Sequence, residues 1–251
     1  MSFAGKHVVI TGGGSGLGAE LARQFAAQEA RVTILGRRAE ALQDVAAETG
    51  ALPLSCDVTV RDSLDQAIKA ATAEQGGVDI ALANAGAAPS KPFERMTPED
   101  FTGALGVNLL GVFNLWQACL PMMKQAGWGR LIAIASTAGL KGYPYVSGYC
   151  AAKHGVLGLT RALAIELAKT GVTANALCPG FIETPLLQNS LETIVKTTGM
   201  SPEQAAKSLR RGNPQDRFIQ PGEVAEAALW LASVGASSVN GAALPISGGE
   251  I

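Results

Sequence analysis

Tyr149 and Lys153 are the two side chains whose types and spacing most directly suggest chemistry in this sequence. On a helix, residues four positions apart share one face and lie about 6 Å apart along the axis. A free phenol has a pKa of about 10 and is a poor base at neutral pH, but a nearby ammonium favours the phenolate. We therefore predict that Tyr149 exchanges a proton with a substrate oxygen and that Lys153 tunes the phenol.

So short a pair also arises by chance, so its polar neighbours decide what it means. Ser136 ends the strand-like run "RLIAIAS" at 130–136, and its hydroxyl is predicted to hydrogen-bond the substrate oxygen. Asn108 lies within a long apolar helix-like run, where a buried amide is costly unless it is satisfied. Its amide either closes a break in that helix or anchors a water molecule leading to Lys153.

A glycine-rich turn predicts that the protein binds a dinucleotide. The strand-like run "HVVIT" at 7–11 leads into "GGGSGLG" at 12–18, and a helix-like run follows. Gly12, Gly16 and Gly18 permit a tight turn and a close approach of the backbone to phosphate. The helix N-terminus then offers free N–H groups and the positive end of its dipole. The spacing GxxxGxG differs from the common GxGxxG, but the strand–turn–helix context is the required one.

The end of the second strand bears on which dinucleotide is bound. An acidic residue there would hydrogen-bond the adenosine ribose hydroxyls. This chain instead has Gly36 followed by Arg37 and Arg38, and a guanidinium suits a 2′-phosphate. The pair therefore favours NADP(H), with NAD(H) as the alternative. Asp57, after the third strand, is predicted to accept a hydrogen bond from the adenine amine.

The elements that must position these residues alternate along the chain. Most strand-like runs are continuously apolar, as is typical of strands buried on both faces of a parallel sheet. The alternation predicts an α/β fold: a doubly wound, Rossmann-type sheet of about seven strands with helices on both faces, in a single domain of residues 1–251. The predicted strands are 7–11, 31–35, 51–55, 78–84, 130–136, 172–178 and 242–247. The predicted helices are 17–28, 39–49, 62–75, 98–125, 146–169 and 221–234.

Residues 181–220 form a long polar stretch that interrupts this alternation before the last strand. Ligands bind beyond the carboxyl ends of such strands, so we predict a substrate lid at about 181–220, of which 186–212 helps to shape the substrate pocket. A plain surface excursion is the alternative. The side chains predicted to shape the substrate pocket are mostly apolar or aromatic, which indicates a bulky or acyl substrate. They are Ser136, Tyr143, Tyr145, Tyr149, Cys150 and Phe181.

The composition disfavours several other classes of protein. The chain has 251 residues, 47% of them hydrophobic, and a net charge of −1, which disfavours nucleic-acid and membrane-surface partners. We expect no apolar run near the roughly 20 residues of a membrane helix and no signal peptide, hence a cytoplasmic location. The four dispersed cysteines predict neither a disulfide framework nor a metal site. Only His7 and His154 are available to a hydrolase that uses Ser136, and their positions disfavour one.

Together these motifs resemble the short-chain dehydrogenase/reductase family over essentially the whole chain. The shared motifs are "TGGGSGLG" (11–18), "CDV" (56–58), "ANAG" (83–86), the asparagine of "VNLLG", "IAS" ending at Ser136, "YCAAK" (149–153), "CPGFIETP" (178–185) and a C-terminal "SGG". One departure is Ala83, where the family usually has asparagine. This puts a sheet-stabilising hydrogen bond in doubt more than the chemistry.

The resemblance implies a tetrad of Asn108, Ser136, Tyr149 and Lys153, in which Lys153 also holds the nicotinamide ribose. It implies that 179–184 runs past the nicotinamide carboxamide and that 84–86 passes the adenosine side. The residues predicted to contact the cofactor are Gly12, Ser15, Gly16, Leu17, Gly18, Arg37, Arg38, Asp57, Val58, Asn84, Ala85, Gly86, Tyr149, Lys153, Pro179, Gly180, Ile182 and Thr184.

The implied function is that of an NAD(P)-dependent oxidoreductase that moves a hydride between NADP(H) and a secondary alcohol or ketone. The chain looks most similar to bacterial β-ketoacyl and polyketide ketoreductases and to hydroxyacyl-CoA dehydrogenases, which implies an acyl-thioester substrate. One alternative is an NAD-dependent cyclic or aromatic alcohol dehydrogenase. Another is a non-catalytic dinucleotide-binding subunit with a regulatory or structural role, which the complete tetrad disfavours. A homotetramer built on the two longest helices and the C-terminal strand is also implied, with Trp116 either on such a face or in the core.

Overall fold

The computed structural model describes residues 2–251. Its seven strands form one parallel sheet in the order β3-β2-β1-β4-β5-β6-β7. The chain runs outward from β1 to β3 and then returns to the other side of β1, so a crevice opens at the carboxyl ends of β1 and β4. The doubly wound α/β prediction is confirmed. The strands are β1 His7–Thr11, β2 Arg31–Gly36, β3 Leu52–Ser55, β4 Ile80–Ala83, β5 Gly129–Ile134, β6 Val172–Pro179 and β7 Ala243–Ile246.

The helices cover both faces of this sheet. The first, second and last pack on one face, and the third, fifth and sixth on the other. They are α1 Gly16–Ala27, α2 Ala39–Thr49, α3 Arg61–Gln75, α4 Pro98–Leu105, α5 Gly111–Ala126, α6 Ser147–Glu166, α7 Pro185–Thr198, α8 Pro202–Arg210 and α9 Pro221–Ala232.

Burial on both faces explains why the strands have continuously apolar sequences. In β1, Val8 and Ile10 pack into the core on one face of the sheet and Val9 packs into the core on the other. Successive side chains of a strand point to opposite faces, so a doubly covered strand needs apolar residues at every position. A charged residue within β1 would lose its hydration on either face.

The predicted helix 98–125 is present as the helical stretch Pro98–Ala126, but it contains one irregular turn. A π-helical turn, Gly106–Leu110, separates α4 from α5. Thr97 caps α4 as its sequence indicates, exchanging hydrogen bonds with Asp100. A π-turn widens the helix by one residue and releases a backbone carbonyl from its usual partner, a feature common at functional sites.

The expectation that no apolar run approaches membrane-spanning length is wrong. Residues 102–123 carry no charged side chain. By length and composition alone, the helical stretch Pro98–Ala126 could cross a membrane, but 44% of its most apolar window is buried within the protein. Leu115 and Trp116 lie in the core, while Leu110 and Phe113 remain exposed. Trp116, predicted either for the core or for an oligomer face, is a core residue.

The polar stretch before the last strand contains two helices, α7 and α8. Each begins with proline at its first position, and Ser201 with Gln204 forms a capping box ahead of α8. Only Leu187 in α7 and Ala205 in α8 are buried among the described residues of these helices. Few buried contacts are typical of segments that open locally, so this arrangement is compatible with the predicted lid, which stays a prediction.

Candidate active site

The glycine turn forms the floor of the crevice at the end of β1. Gly12 and Gly16 adopt φ angles of 69° and 53°, which favour glycine. A Cβ on Gly18 would lie 2.0 Å from the carbonyl oxygen of Gly12, so glycine is required where α1 meets the strand. Leu17 contributes its backbone only, because its side chain is buried in the core.

The start of α1 can accept an anion. Ser15 is the residue before the helix, and among residues 2–251 no side chain caps the first turn. The Ser15 hydroxyl instead accepts a hydrogen bond from the Arg38 guanidinium at 3.1 Å. The first-turn amides therefore keep their donors for a phosphate group, and the helix dipole adds positive potential.

Beside this turn is a small, open cavity of about 80 Å³. Both Arg37 and Arg38 are exposed at its rim, and the end of β2 supplies Gly36 in place of an acid. The residues that line the cavity are Gly12, Gly14, Ser15, Gly36, Arg37, Arg38, Ala41 and Leu42. A phosphate at this rim would meet two permanent positive charges.

Asp57 lies at the same end of the crevice. One carboxylate oxygen accepts from the Thr59 backbone N–H at 2.9 Å and from the Thr59 hydroxyl at 2.7 Å. These hydrogen bonds lower the pKa of Asp57, and the positive charge of Arg37 lowers it further. The next residue, Val58, packs against Gly111, and its carbonyl accepts from Asn114 at 2.9 Å, so its side chain and carbonyl are engaged inside the protein.

The segment after β4 joins the two halves of the crevice. The amide nitrogen of the Asn84 side chain donates to the Thr11 carbonyl at 2.9 Å, while the backbone N–H groups of Asn84 and Ala85 donate to the Thr11 hydroxyl. Asn84 thus clamps β4 to β1 even though Ala83 replaces the family's first asparagine. A Cβ on Gly86 would lie 2.9 Å from Asn108 Oδ1 and 3.9 Å from Lys153 Nζ. Gly86, predicted for the adenosine side, therefore lies against the tetrad.

The π-turn exists around Asn108 and is held by its amide. Asn108 is fully buried, and its Nδ2 donates to the carbonyls of Ala104 at 2.9 Å and Ala87 at 2.8 Å. Its Oδ1 accepts from the Ala87 N–H at 3.2 Å. Of the two predicted roles, closing a break in the helix is confirmed. The water-anchoring role stays a prediction.

Ser136 lies just beyond the carboxyl end of β5, as predicted. Its Oγ accepts from the Ala138 N–H at 3.1 Å and so caps a short 3₁₀ turn, Thr137–Gly139. That turn packs closely on α6, since a Cβ on Gly139 would lie 2.8 Å from the Lys153 carbonyl. The close fit fixes the distance between the serine and the helix that carries Tyr149.

Tyr149 and Lys153 lie on α6 facing Ser136. The Lys153 ammonium lies 5.5 Å from the centre of the Tyr149 ring and donates to the Ile134 carbonyl at 2.8 Å. Lys153 is 3% exposed. The anchoring carbonyl belongs to β5, so one hydrogen bond aligns α6 with the strand that delivers Ser136. The spacing therefore brings the predicted groups together.

That the Lys153 ammonium favours the phenolate of Tyr149 stays a prediction, because burial dominates the pKa of both groups here. Burial raises the pKa of Tyr149 to about 12, and the hydrogen bond with Ser136 offsets only part of this rise. Burial also lowers the pKa of Lys153 to about 8. Both shifts have one cause: a site shielded from water disfavours the phenolate and the ammonium alike. Sequence spacing gives proximity but carries no information about desolvation.

The predicted nicotinamide segment follows β6 and crosses toward the glycine turn. The Gly180 N–H donates to the Ile246 carbonyl at 3.0 Å, and Ile182 bridges to Ile219. Thr184 precedes α7, and a Cβ on Gly16 would lie 3.3 Å from the Thr184 side chain. The start of the 181–220 insertion therefore lies directly over the phosphate-binding turn.

The two remaining tyrosines differ in their surroundings. Tyr143 packs edge-on against Phe181, with ring centres 6.1 Å apart, and their role as a pocket wall stays a prediction. Tyr145 is 62% exposed and has a φ of 66°, with its carbonyl accepting from the Lys91 N–H at 2.7 Å. The Tyr145 side chain is therefore mostly open to solvent in this structure, and its place in the pocket wall stays a prediction.

Sequence reasoning missed the residues that fix this wall. The Tyr143 hydroxyl hydrogen-bonds Thr137 at 2.7 Å and Glu250 at 2.6 Å. Lys141 pairs with the same carboxylate at 2.8 Å. Glu250 is 107 residues from Tyr143, and the only sequence signal was the flexible "SGG" before it.

Neither histidine is placed to act as a base for Ser136. His7 is the first residue of β1, at the end of the strands opposite the crevice, and its ring hydrogen-bonds the Gly76 carbonyl and the Thr33 hydroxyl. His154 bonds the Cys150 carbonyl of its own helix at 2.9 Å. A serine nucleophile needs a base within hydrogen-bond reach, and Ser136 has Tyr149 and Lys153 beside it instead.

Comparison with known proteins adds to this geometry. The family model for short chain dehydrogenase matches residues 6–195. D-beta-hydroxybutyrate dehydrogenase from Cupriavidus necator is 36% identical over 98% of this chain and 98% of its own length.

Solved structures are similar over almost the whole chain. A variant of actinorhodin polyketide ketoreductase with NADPH superposes with a TM-score of 0.95 at 34% identity, covering 100% of this chain and 99% of that one. A 3-ketoacyl-(acyl-carrier-protein) reductase from Brucella melitensis, complexed with NADH, superposes with a TM-score of 0.90 at 34% identity, covering 99% of both chains. These relatives include one structure with each nicotinamide dinucleotide.

Proposed function

The chain belongs to the short-chain dehydrogenase family and is an oxidoreductase acting on hydroxy and keto groups, and from that premise we propose that it is an NADP(H)-dependent reductase of 3-oxoacyl substrates. The observation that carries the proposal is the crevice itself. A phosphate-binding turn with two arginines at one end leads to a partly buried Ser136–Tyr149–Lys153 group with an aromatic wall at the other.

The cofactor's phosphates would be held by the first-turn amides of α1, and its adenosine by the cavity beside Arg37 and Arg38. When bound, a nicotinamide dinucleotide supplies or accepts the hydride. Thr184 lies against Gly16, so the start of the insertion would cover the cofactor and exclude water from it.

The chain's own residues handle the proton. With a pKa of about 12, Tyr149 is a neutral phenol at pH 7 and holds the proton that a carbonyl oxygen needs on reduction. Ser136 donates a second hydrogen bond to that oxygen and stabilises the developing negative charge. Lys153, with a pKa of about 8, is mostly an ammonium at pH 7 and stabilises the phenolate that Tyr149 becomes when it gives up its proton. A proton from solvent then restores the phenol.

Asn108 positions this group rather than touching the substrate. It holds the π-turn and the Ala87 backbone, and Gly86 next to it borders Lys153. The amide therefore fixes the wall against which the Lys153 side chain lies. Its replacement is expected to disturb Lys153 without removing any proton donor.

NADPH is the proposed cofactor in preference to NADH because the end of β2 supplies positive charge in place of an acid. Gly36 cannot accept hydrogen bonds from ribose hydroxyls through a side chain, whereas Arg37 and Arg38 would pair with a 2′-phosphate. Titration of the protein with NADPH and NADH separately tests this choice. We expect tighter binding of NADPH, and equal affinities would contradict it.

A 3-oxoacyl group is the proposed substrate because Tyr143 and Phe181 present an aromatic, uncharged wall beside Ser136. Helices α7 and α8, with few buried residues, would close over the acyl chain as a lid. The test is NADPH oxidation with acetoacetyl-CoA, ethyl acetoacetate and cyclohexanone. We expect the acyl ketones to give the higher kcat/KM, and a preference for cyclohexanone would favour the cyclic-alcohol alternative.

A homotetramer and a cytoplasmic location are proposed as well. Phe113 and Leu110 near the start of α5 and Ile165 at the end of α6 are apolar and exposed, as an interface between copies requires. All four cysteines are free thiols, which fits a reducing compartment. Equilibrium sedimentation tests the assembly, and a dominant monomer would contradict it.

A further inference from the structure

Glu250 carries a negative charge into the protein although it is the penultimate residue. Its side chain is 4% exposed, whereas Ile251 after it is 47% exposed. Gly248 and Gly249 precede it with φ angles of 64° and 96°, which turn the tail back toward the domain. A carboxylate at this depth is stable only with close partners.

Two donors from the loop after β5 meet one oxygen of that carboxylate. The Tyr143 hydroxyl donates to Oε1 at 2.6 Å, and the Lys141 ammonium lies 2.8 Å from the same atom. Tyr143 also hydrogen-bonds Thr137, the residue after Ser136. The C-terminal tail is thus connected to the substrate-binding serine through one aromatic side chain.

Two glycines from other segments leave room for the carboxylate. A Cβ on Gly212, just beyond α8, would lie 2.7 Å from Oε1 of Glu250. A Cβ on Gly180, after β6, would lie 3.3 Å from Oε2. Glu250 is therefore the point where the tyrosine loop, the nicotinamide segment and the end of the lid meet.

The ion pair with Glu250 also compensates the positive charge of Lys141. Lys141 is 40% exposed at the edge of the pocket and lies 5.1 Å from the centre of the Tyr143 ring. Without Glu250, an uncompensated ammonium would lie beside the Tyr143 ring and attract anionic substrates.

We propose that Glu250 is a positioning and specificity residue, which holds Tyr143 and masks Lys141 so that 3-oxo esters and thioesters are preferred over free 3-oxo acids. The inference rests on the proposed function, because it concerns the choice among ketones. Glu250 acts through Tyr143 and Lys141 and does not touch the reacting atoms.

The first test compares acetoacetate with its neutral counterpart, ethyl acetoacetate, in the Glu250→Gln variant. Glutamine keeps the shape and an acceptor for Tyr143 but removes the charge. We expect the ratio of kcat/KM for acetoacetate over ethyl acetoacetate to rise about 3- to 10-fold, a modest effect because Lys141 is partly exposed. Adding Lys141→Met to Glu250→Gln should return the ratio to the wild-type value.

Gly212→Ala provides a steric version of the same test without changing any charge. Its new Cβ would push the carboxylate off Lys141 and Tyr143, so the ratio should rise in the same direction. A ratio within twofold of wild type in both Glu250→Gln and Gly212→Ala would overturn the proposal. A structural role alone would change both substrates equally.

Acetylation of Lys141 by acetic anhydride, read by mass spectrometry, tests the contact without any turnover. Lys91, paired with Asp100 and 38% exposed, is the control within the same molecule. Glu250→Gln should raise Lys141 acetylation several-fold and leave Lys91 unchanged. If wild type reduces neither ketone, the proposed function fails, while equal labelling of Lys141 in both proteins would overturn the tail contact itself.

Discussion

The two halves of the crevice are built from different kinds of contact. The cofactor half depends on backbone conformation and on residues that are adjacent in sequence. These are the glycine turn at 12–18 and the three residues from Gly36 to Arg38. The substrate half joins side chains from distant segments, such as Tyr143 and Glu250, which are 107 residues apart. Substitutions in the first half should therefore alter dinucleotide binding, and those in the second should alter turnover or substrate choice.

In the substrate half, Tyr149→Phe should have the largest effect on turnover. Removing the hydroxyl removes the proton donor, and general acid catalysis of this kind contributes about 10²–10⁴-fold. We expect kcat to fall about 10³-fold while the dissociation constant for NADPH changes less than twofold. Stopped-flow turnover and fluorescence titration measure the two quantities, and near-wild-type kcat would remove Tyr149 from its role.

In the cofactor half, Gly18→Ala should lower both the stability of the protein and its affinity for dinucleotides. The new Cβ would lie 2.0 Å from the Gly12 carbonyl, and the backbone must shift to relieve the clash. We expect a loss of about 3 kcal/mol in the free energy of unfolding, with weaker binding of NADPH and NADH alike.

Gly158→Ala is the matched control for this substitution. Gly158 is also helical, but a Cβ there would meet no atom within 4 Å among the described residues. Alanine should leave stability unchanged or raise it by about 0.5–1 kcal/mol. Denaturant unfolding measures both, and equal losses for the two variants would contradict the close-packing explanation.

Lys153→Met should stabilise the protein while lowering kcat by less than Tyr149→Phe does. Burial lowers the pKa of Lys153 from 10.5 to about 8, so below pH 8 the folded state bears the full cost of a buried ammonium. We expect methionine to gain about 2 kcal/mol at pH 7 after the loss of the hydrogen bond to Ile134.

The stabilisation by Lys153→Met should decrease as the pH rises from 8 to 10.5. Between pH 8 and 10.5 the folded lysine is neutral while the unfolded lysine is still protonated, so wild-type stability rises with pH relative to the variant. The difference in unfolding free energy should therefore shrink across this window. A difference that stays constant from pH 7 to 10 would contradict burial as the cause of the pKa shift.

The smallest effect is expected at the rim of the cofactor half. Arg37→Ala should weaken NADPH about tenfold, corresponding to about 1.4 kcal/mol, and leave NADH unchanged. Arg23→Ala, another exposed arginine that pairs with Glu48 on α2, is the control and should alter neither affinity. Equal weakening of both cofactors by Arg37→Ala would contradict a phosphate contact.

The same division explains how much of the molecule could be predicted from sequence. Alternating apolar runs gave the seven strands, and short motifs gave Ser136, Tyr149 and Lys153, because these features are local or follow from sheet topology. The π-turn at Asn108 was missed as an element because a helix with one widened turn has the same apolar pattern as a regular helix. Only the cost of a buried amide pointed to a break.

Features that depend on long-range packing could not be predicted. Nothing near Glu250 in the sequence indicates that its carboxylate reaches Tyr143 and Lys141. The left-handed backbone at Tyr145 accompanies a hydrogen bond from the Lys91 N–H, and the high pKa of Tyr149 depends on burial by surrounding elements. These contacts are set by the assembled fold.

Hydride transfer itself can be measured most directly with NADPH that carries deuterium at the transferring position of nicotinamide C4. The wild-type protein is incubated with this cofactor and acetoacetyl-CoA, and the product is analysed by mass spectrometry and NMR. We predict one deuterium on the carbinol carbon of a 3-hydroxyacyl product, with no product formed by Tyr149→Phe over the same time. A 3-hydroxyacyl product without deuterium, or no reduction of any ketone despite tight NADPH binding, would contradict the assignment of this crevice as a ketone-reducing site.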